Sequence, residues 1–152
     1  MFDARGEGRF SNSQQNFLIE QRVGRIATTN ADGTVHLVPV CFAFDGTNIF
    51  TTIISGSKRL SNMRRNRAVS FVVDGYEENE GEWVVLKGIL IYALADLLNY
   101  RIDAQRFMVG WRLLVDKYPQ YKKWGRNDLT PVDSDRRWIV MLTPQKVVAW
   151  GF

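Results

Sequence analysis

The sequence predicts a mainly β protein with a few helices, an α+β fold whose strands pair antiparallel. Short runs rich in valine, isoleucine and phenylalanine are separated by turn signals, an Asn-Ala-Asp-Gly tetrad at 30–33 and an Asp-Gly pair at 45–46. Asn, Asp and Gly tolerate the positive φ that tight hairpins need. Residues 34–44 are apolar at both alternating positions, so both faces should be covered. This pattern fits a small closed barrel with a helix or a second subunit packed outside.

The first half of the chain divides into two helices and four strands. Ser11 or Ser13 can cap a helix that reaches about Gln21, with Phe17 and Leu18 facing inward. Pro39 cannot donate to a strand ladder, so it marks an edge or a bulge. Strands are predicted at 25–29, 34–44, 48–54 and 68–74, with a basic helix between the last two.

The second half begins with a long strand at 82–93, in which Gly88 is a bend point. Helical spacing then covers 97–118. A polar connection at 121–135 lacks regular structure, and two strands, 137–143 and 146–150, lie on either side of a turn at Pro144. The side chains that repeat along the predicted helix are expected in the core: Phe107, Trp111, Leu114 and Tyr118.

Length and composition limit the class of protein. A chain of 152 residues, 45% hydrophobic, fits one domain over 1–152. With a single cysteine, Cys41, the chain cannot form an internal disulfide, and a reducing compartment is expected. Cys41 is not expected to act as a nucleophile, because no base lies near it in the sequence. The charged first ten residues do not resemble a signal peptide, and no apolar run reaches the ~20 residues of a spanning helix. A soluble, cytoplasmic protein is expected.

Residues 49–67 carry the clearest functional signal, a β run that enters a Ser-Gly-Ser turn and then a basic helix. The turn can present backbone N–H groups and hydroxyls, and the helix dipole attracts an anion by about 0.3–1 kcal/mol. A small anionic ligand, such as a phosphate, is therefore the first hypothesis. The segment 58–67 holds five cations and no acid: Lys58, Arg59, Arg64, Arg65 and Arg67.

Two other interpretations of the basic helix stay open behind this one. In the second, Leu60 and Met63 face inward and the arginines simply face water. Nucleic acid ranks third, because the net charge is only +4, aromatic residues do not alternate with the cations, and an acidic stretch follows at 74–82. With one histidine and one cysteine, no metal constellation is expected, and a lone strand histidine is more often structural.

The order of these segments resembles the pyridoxamine 5'-phosphate oxidase-like split barrels, which bind FMN or the deazaflavin coenzyme F420. The similar segments are RIATTNADGTVHLVPVCFAFDG, NIFTT, SKRLSNMRRNRAVSFVVD, WVVLKG and the closing RRWIVMLTPQKVVAWGF. KYPQY and the final VAWGF are most similar to the probable coenzyme F420-dependent branch. The resemblance implies an antiparallel split β-barrel with peripheral helices.

The resemblance also implies a set of cofactor-binding residues. Ser57 and Lys58 match the pair that holds the phosphate, although oxidases often carry Arg-Lys there, and Trp83 stands where oxidases commonly show Gln. Arg59, Arg64 and Arg65 would suit the longer acidic tail of coenzyme F420. The strand beside the ring comprises His36, Leu37, Val38, Pro39 and Val40; Phe50, Thr51 and Thr52 approach ring and phosphate; Arg137 and Trp138 reach the neighbouring subunit's cofactor.

The function that follows is a flavin- or deazaflavin-dependent oxidoreductase. It would transfer a hydride between FMN, or alternatively coenzyme F420, and an unknown small organic substrate, with no side chain assigned as catalytic. The expected assembly is a homodimer with cofactor sites at its interface, without nucleic acid, membrane or metal. The competing interpretation is a non-catalytic protein that stores a flavin or senses it.

Overall fold

A computed structural model of the chain describes residues 9–78, 85–126 and 130–152. Its centre is a seven-stranded antiparallel sheet in the order β2-β1-β5-β6-β7-β4-β3. The strands are β1 (Gly24–Thr29), β2 (Val35–Val40), β3 (Ala43–Phe44), β4 (Ile49–Ile54), β5 (Ala68–Glu77), β6 (Val85–Asn99) and β7 (Arg137–Trp150). The helices are α1 (Asn12–Glu20), α2 (Lys58–Arg65), α3 (Ala104–Lys117) and a 3₁₀ turn at Pro119–Trp124.

The sheet curls around one apolar core to which every strand contributes. Helix α1, capped by Ser11 as predicted, buries Phe17 and Leu18 in this core, and α2 buries Leu60 and Met63 there. Pro39 lies on β2, which is an edge strand of the sheet, as its missing N–H requires. The α+β fold and the antiparallel barrel predicted from sequence are therefore confirmed.

Helix α3 covers the outside of the sheet over a second apolar cluster. Phe107, Trp111, Leu114 and Tyr118 are all buried, as their spacing predicts. The helix begins only at Ala104, however, and residues 97–99 continue β6. Those residues pair with β7 across a regular ladder, and the Asp103 side chain caps the helix by accepting from the Arg106 N–H. The predicted helix therefore starts too early in the sequence, because residues 97–99 pair with β7 and the helix begins after its cap at Asp103.

The prediction of a single strand at 34–44 is wrong. Strand pairing is interrupted at Cys41 and Phe42, which separate β2 from β3. The Tyr118 hydroxyl takes the place of a strand partner at the break, since the Phe42 N–H donates to it over 3.1 Å and the Phe42 carbonyl lies 2.9 Å from it. A tyrosine 76 residues away in sequence thus satisfies the backbone that leaves the ladder.

Three further predictions need correction. Pro144 makes no turn, because β7 is continuous and Pro144 pairs with Ala93 beside a bulge in the β6–β7 ladder. The connection after α3 is partly ordered: its 3₁₀ turn stacks Tyr121 on Trp111, with ring centroids 5.9 Å apart. Of the predicted strand 82–93, residues 82–84 lie outside the described chain, and β6 runs on to Asn99.

The outer face of the β2-β1-β5-β6 region is apolar and is not covered by a described helix of this chain, which leaves the second subunit of the sequence-based expectation to cover it. Val35 is 67% exposed and Leu37 61% exposed. The cross-strand register places Ala27 between Leu37 and Ser70, and Ser70 is in turn beside Tyr92. An open apolar sheet face of this kind marks a contact surface. Among the described residues, no helix combines the length and apolar character needed to cross a bilayer.

Candidate functional site

The predicted anion turn joins β4 to α2 and consists of Ser55, Gly56 and Ser57. Gly56 adopts a φ of 86°, which a glycine accepts without strain. Ser57 is the N-cap of α2, where its hydroxyl accepts a hydrogen bond from the Leu60 N–H at 3.3 Å. The first backbone N–H groups of α2 have no partner inside the helix. The turn therefore offers donors from the helix N-terminus, at Lys58 and the residue after it.

Ser55 is not one of the free groups. Its N–H and its hydroxyl both donate to the Arg136 carbonyl, at 2.8 and 3.0 Å. The Trp138 indole N–H in turn donates to the Ser55 hydroxyl oxygen at 3.0 Å. Because both donors of Ser55 are satisfied within the chain, it supports the turn rather than binding an anion.

Lys58 is the cation best placed for a ligand at this turn. It is exposed, and its ammonium makes no hydrogen bond or ion pair within the described residues. Its charge acts on Asp32, on the β1–β2 turn. Hydrogen bonds from the Thr34 hydroxyl and N–H lower the pKa of Asp32, and the Lys58 charge acts in the same direction. The tip of the β1–β2 hairpin is thus a neighbour of the anion turn.

Arg59 and Arg64 lie close to the same turn. Arg59 is half-buried, its only described hydrogen bond is a long one of 3.5 Å to the Thr52 carbonyl, and burial lowers its pKa. A desolvated guanidinium without a carboxylate partner gains from an anion. Arg64 lies over the Trp138 ring, 5.0 Å from its centroid, with no ion pair among the residues described.

The other two cations of the basic helix and its exit serve the fold. Arg65 donates to the Thr29 carbonyl at 2.9 Å and to the Asn62 side chain at 2.8 Å. Arg67 donates to the Ala95 carbonyl and forms an ion pair with Asp96. Of five cations that look alike in sequence, three therefore remain for an anion.

Asn62 is a residue that sequence reasoning missed. Its side chain is buried, and its amide donates to the Thr28 hydroxyl and the Asn30 side chain, at 3.1 and 2.9 Å. This polar link holds α2 on β1 and so fixes the direction of the helix. The signal available in sequence was the position of Asn62 between two inward residues, Leu60 and Met63.

Two cavities of the described chain lie away from the anion turn. One, of about 360 Å³, opens on the outer sheet face between Ala27, Val35, Ser70, Tyr92 and Leu94. The other, of about 610 Å³, lies between α1 and the β5–β6 pair. Neither includes Ser57 or Lys58. Neither of these two cavities joins the anion turn to the apolar sheet face.

Comparison with known proteins decides the family. The family model of pyridoxamine 5'-phosphate oxidase matches residues 10–151. A curated relative, the 5a,11a-dehydrotetracycline/5a,11a-dehydrooxytetracycline reductase of Streptomyces rimosus, is 34% identical over 146 residues, covering 93% of this chain and 83% of the relative. This chain belongs to the pyridoxamine 5'-phosphate oxidase family.

Solved structures support the same fold at lower identity. A conserved hypothetical protein of Mycobacterium tuberculosis superimposes with a TM-score of 0.70 at 19% identity, covering 99% of this chain and 89% of its own. An F420 reductase superimposes with a TM-score of 0.64 at 21% identity, covering 91% and 98%. The split-barrel fold expected from the resemblance is confirmed.

In this chain β2 is an edge strand of the sheet, with one backbone side free of a strand partner among the described residues. His36, Val38 and Val40 share the inward parity, whereas Leu37 and Pro39 face out and are exposed. The His36 Nδ1 is buried and makes no hydrogen bond within the described residues. Contact between this strand and a cofactor ring stays a prediction.

The family's aromatic-Thr pair lies behind the site in this chain. Phe50 is buried under α3, where the missing side chain of Gly110 leaves room for its ring. The Thr51 hydroxyl donates to the Cys41 carbonyl at 2.9 Å. Thr52 donates to the Trp138 carbonyl at 3.2 Å. These three side chains support β4, and their direct contact with a cofactor stays a prediction.

The two family positions on β7 separate in space. Arg137 is 9% exposed, binds both oxygens of Asp133 at 2.8 and 2.7 Å, and lies between Trp111 and Trp124. Its charge is thus neutralised inside its own chain. Trp138 points the other way, to the anion turn. The remaining predicted position, Trp83, lies outside the described residues.

Proposed function

We propose that this chain is an oxidoreductase that binds FMN or coenzyme F420, with the cofactor phosphate at the β4–α2 turn. The observation that carries the proposal is the N-terminus of α2, where Ser57 caps the helix and Lys58 is left free. Ser57 and Lys58 also match the pair of residues that the resemblance to the pyridoxamine 5'-phosphate oxidase family assigns to the cofactor phosphate. Unpaired N–H groups, a positive helix end and an unengaged ammonium together fit a phosphate dianion.

In this proposal the cofactor carries out the hydride transfer, and the protein binds and orients the cofactor. A bound flavin or deazaflavin supplies hydride chemistry through its ring. The chain's own residues bind and orient it: Lys58 and the helix N-terminus hold the phosphate, and the free edge of β2 offers backbone groups to the ring. Variants at the turn are therefore expected to lose cofactor rather than chemistry.

The choice between FMN and coenzyme F420 depends on what lies beyond the phosphate. Arg59 is half-buried and lacks a carboxylate, and Arg64 is exposed on the Trp138 ring. Both can meet the acidic tail that only coenzyme F420 carries. The F420 reductase among the structural relatives supports the same direction, and the curated relative supports reduction of an organic substrate. FMN needs only the turn itself.

A homodimer is part of the proposal. Neither of the two cavities described above joins the anion turn to the apolar outer face, and a second copy packed on that face would help to cover a flat ring. The exposed face that includes Val35 and Leu37 is the surface we assign to this contact. An isologous contact of this kind is the commonest symmetric assembly.

The test begins with the purified protein. Its absorbance spectrum reports any retained cofactor, because a deazaflavin absorbs at shorter wavelength than FMN. Titration of the stripped protein with FMN and with coenzyme F420 then gives the two affinities. Failure to bind either would refute the proposal. Binding without turnover, when the reduced cofactor is offered small conjugated acceptors, would favour the storage or sensor interpretation instead.

A further inference from the structure

Ser55 is the point at which β4 is fixed before the chain turns into α2. Its hydroxyl donates to the Arg136 carbonyl and accepts from the Trp138 indole, at 3.0 Å in each case. With its backbone N–H also on the Arg136 carbonyl, Ser55 makes three hydrogen bonds, two to the residue just before β7 and one to Trp138 on β7. The next residue, Gly56, already has a positive φ. The turn therefore takes its direction from Ser55.

Trp138 is held in place from two sides. Its backbone pairs with Ile53 in the β4–β7 ladder, and its carbonyl accepts from the Thr52 hydroxyl at 3.2 Å. The Arg64 guanidinium lies over the ring, 5.0 Å from its centroid, a distance at which a cation is attracted to an indole face. An indole has a single polar group, a donor. That donor is directed at Ser55.

We propose that Trp138 is a positioning residue for the anion turn of its own chain. Through Ser55 it holds the turn in the shape that directs the first N–H groups of α2 at a phosphate, and its ring keeps Arg64 beside the same opening. The resemblance to the family placed this residue at the neighbouring subunit's cofactor, whereas the contacts assign it to the turn. The inference rests on the proposed function, since the anion is the cofactor phosphate.

The test compares ligands that differ only in the phosphate. Trp138→Phe keeps an aromatic ring under Arg64 and removes the donor, Ser55→Ala removes the hydroxyl, and the double variant removes both. We expect each single variant to raise the Kd for FMN about 3- to 10-fold, the range of one hydrogen bond, with riboflavin affinity unchanged. The double variant should be no weaker than Ser55→Ala, because both changes break one chain of bonds. The deazaflavin riboside core of coenzyme F420, with and without a single 5'-phosphate, forms the second ligand pair.

Controls separate this role from a general loss of structure. Trp124→Phe is the matched control, because it removes an indole from a ring that packs on Tyr121, with centroids 4.9 Å apart. It should leave the ratio of the Kd values for FMN and riboflavin unchanged. Ser55→Thr keeps a hydroxyl and should retain affinity for FMN. Thermal unfolding of each variant shows whether it folds. If Ser55→Ala does not fold, Trp138→Phe with Ser55→Thr carries the test.

The outcomes distinguish the inference from the proposed function. Parallel losses for FMN and riboflavin in Trp138→Phe, or additive effects in the double variant, would overturn the positioning role. So would an unchanged FMN affinity in Trp138→Phe when Lys58→Ala loses FMN selectively. If Lys58→Ala also leaves the FMN-to-riboflavin ratio unchanged, the phosphate does not lie at this turn, and both the proposed placement and the inference fail.

Discussion

Replacing Lys58 by alanine isolates the contribution of one ammonium to cofactor binding. Lys58 is exposed and makes no hydrogen bond or ion pair within the described chain, so its removal breaks no fold contact. A hydrogen bond to a charged group contributes about 1.5–3 kcal/mol. Exposure places Lys58 at the lower end, about 1.5 kcal/mol, which corresponds to about tenfold in Kd.

The assay is a titration of FMN and of coenzyme F420 into the wild type and Lys58→Ala at about 0.15 M salt, where the Debye length is about 8 Å. Arg67→Gln is the matched control, because it removes the same charge from a residue already paired with Asp96. Its Kd should stay within about twofold of the wild type. Equal losses in the two variants would mean that only net charge matters, and unchanged affinity in Lys58→Ala would refute the phosphate turn.

Three further predictions follow from the same contacts. Replacing Arg59 and Arg64 together by glutamine should weaken coenzyme F420 more than FMN, with a difference that shrinks at high salt in the same titration; equal losses would assign both arginines to a solvated face. Leu37→Asp, on the open sheet face, should shift the protein to a monomer in light scattering while unfolding stays cooperative, with a Tm that no longer depends on protein concentration; a persistent dimer would place the interface elsewhere. Burial and the Arg22 charge lower the pKa of Lys117 to about 8, so the unfolded chain binds more protons between pH 8 and 10 and stability should rise there. Urea unfolding should show this rise in the wild type and its loss in Lys117→Met, and the same slope in both would contradict it.

The parts of the fold that sequence could predict are those with local causes. Ser11 caps α1, Gly33 takes the positive φ of its turn, and Leu60 and Met63 face inward because helical spacing dictates it. The predictions fail where the local structure depends on pairing with a segment that is distant in sequence. Pro144 continues β7 because β6 pairs on both sides of it, and residues 97–99 are strand because β7 lies beside them.

The candidate site divides in the same way. The Ser-Gly-Ser turn and the basic helix could be recognised from their spacing. Which cations are free could not, because Arg65 and Arg67 are engaged by Thr29 and Asp96 from other strands. The burial of Arg137 against Asp133 was equally inaccessible, since it depends on how the segment before β7 folds back over Trp111.

The bond between Ser55 and Trp138 joins residues 83 positions apart in the chain. Contacts of such long sequence separation form slowly, because the entropy of closing the loop is lost before the contact stabilises anything. β4 pairs only with β3 and β7, and β7 follows every other strand in sequence. We therefore expect the anion turn to reach its final shape late in folding, and a refolding experiment should show FMN capture lagging behind formation of the β5–β6 pair.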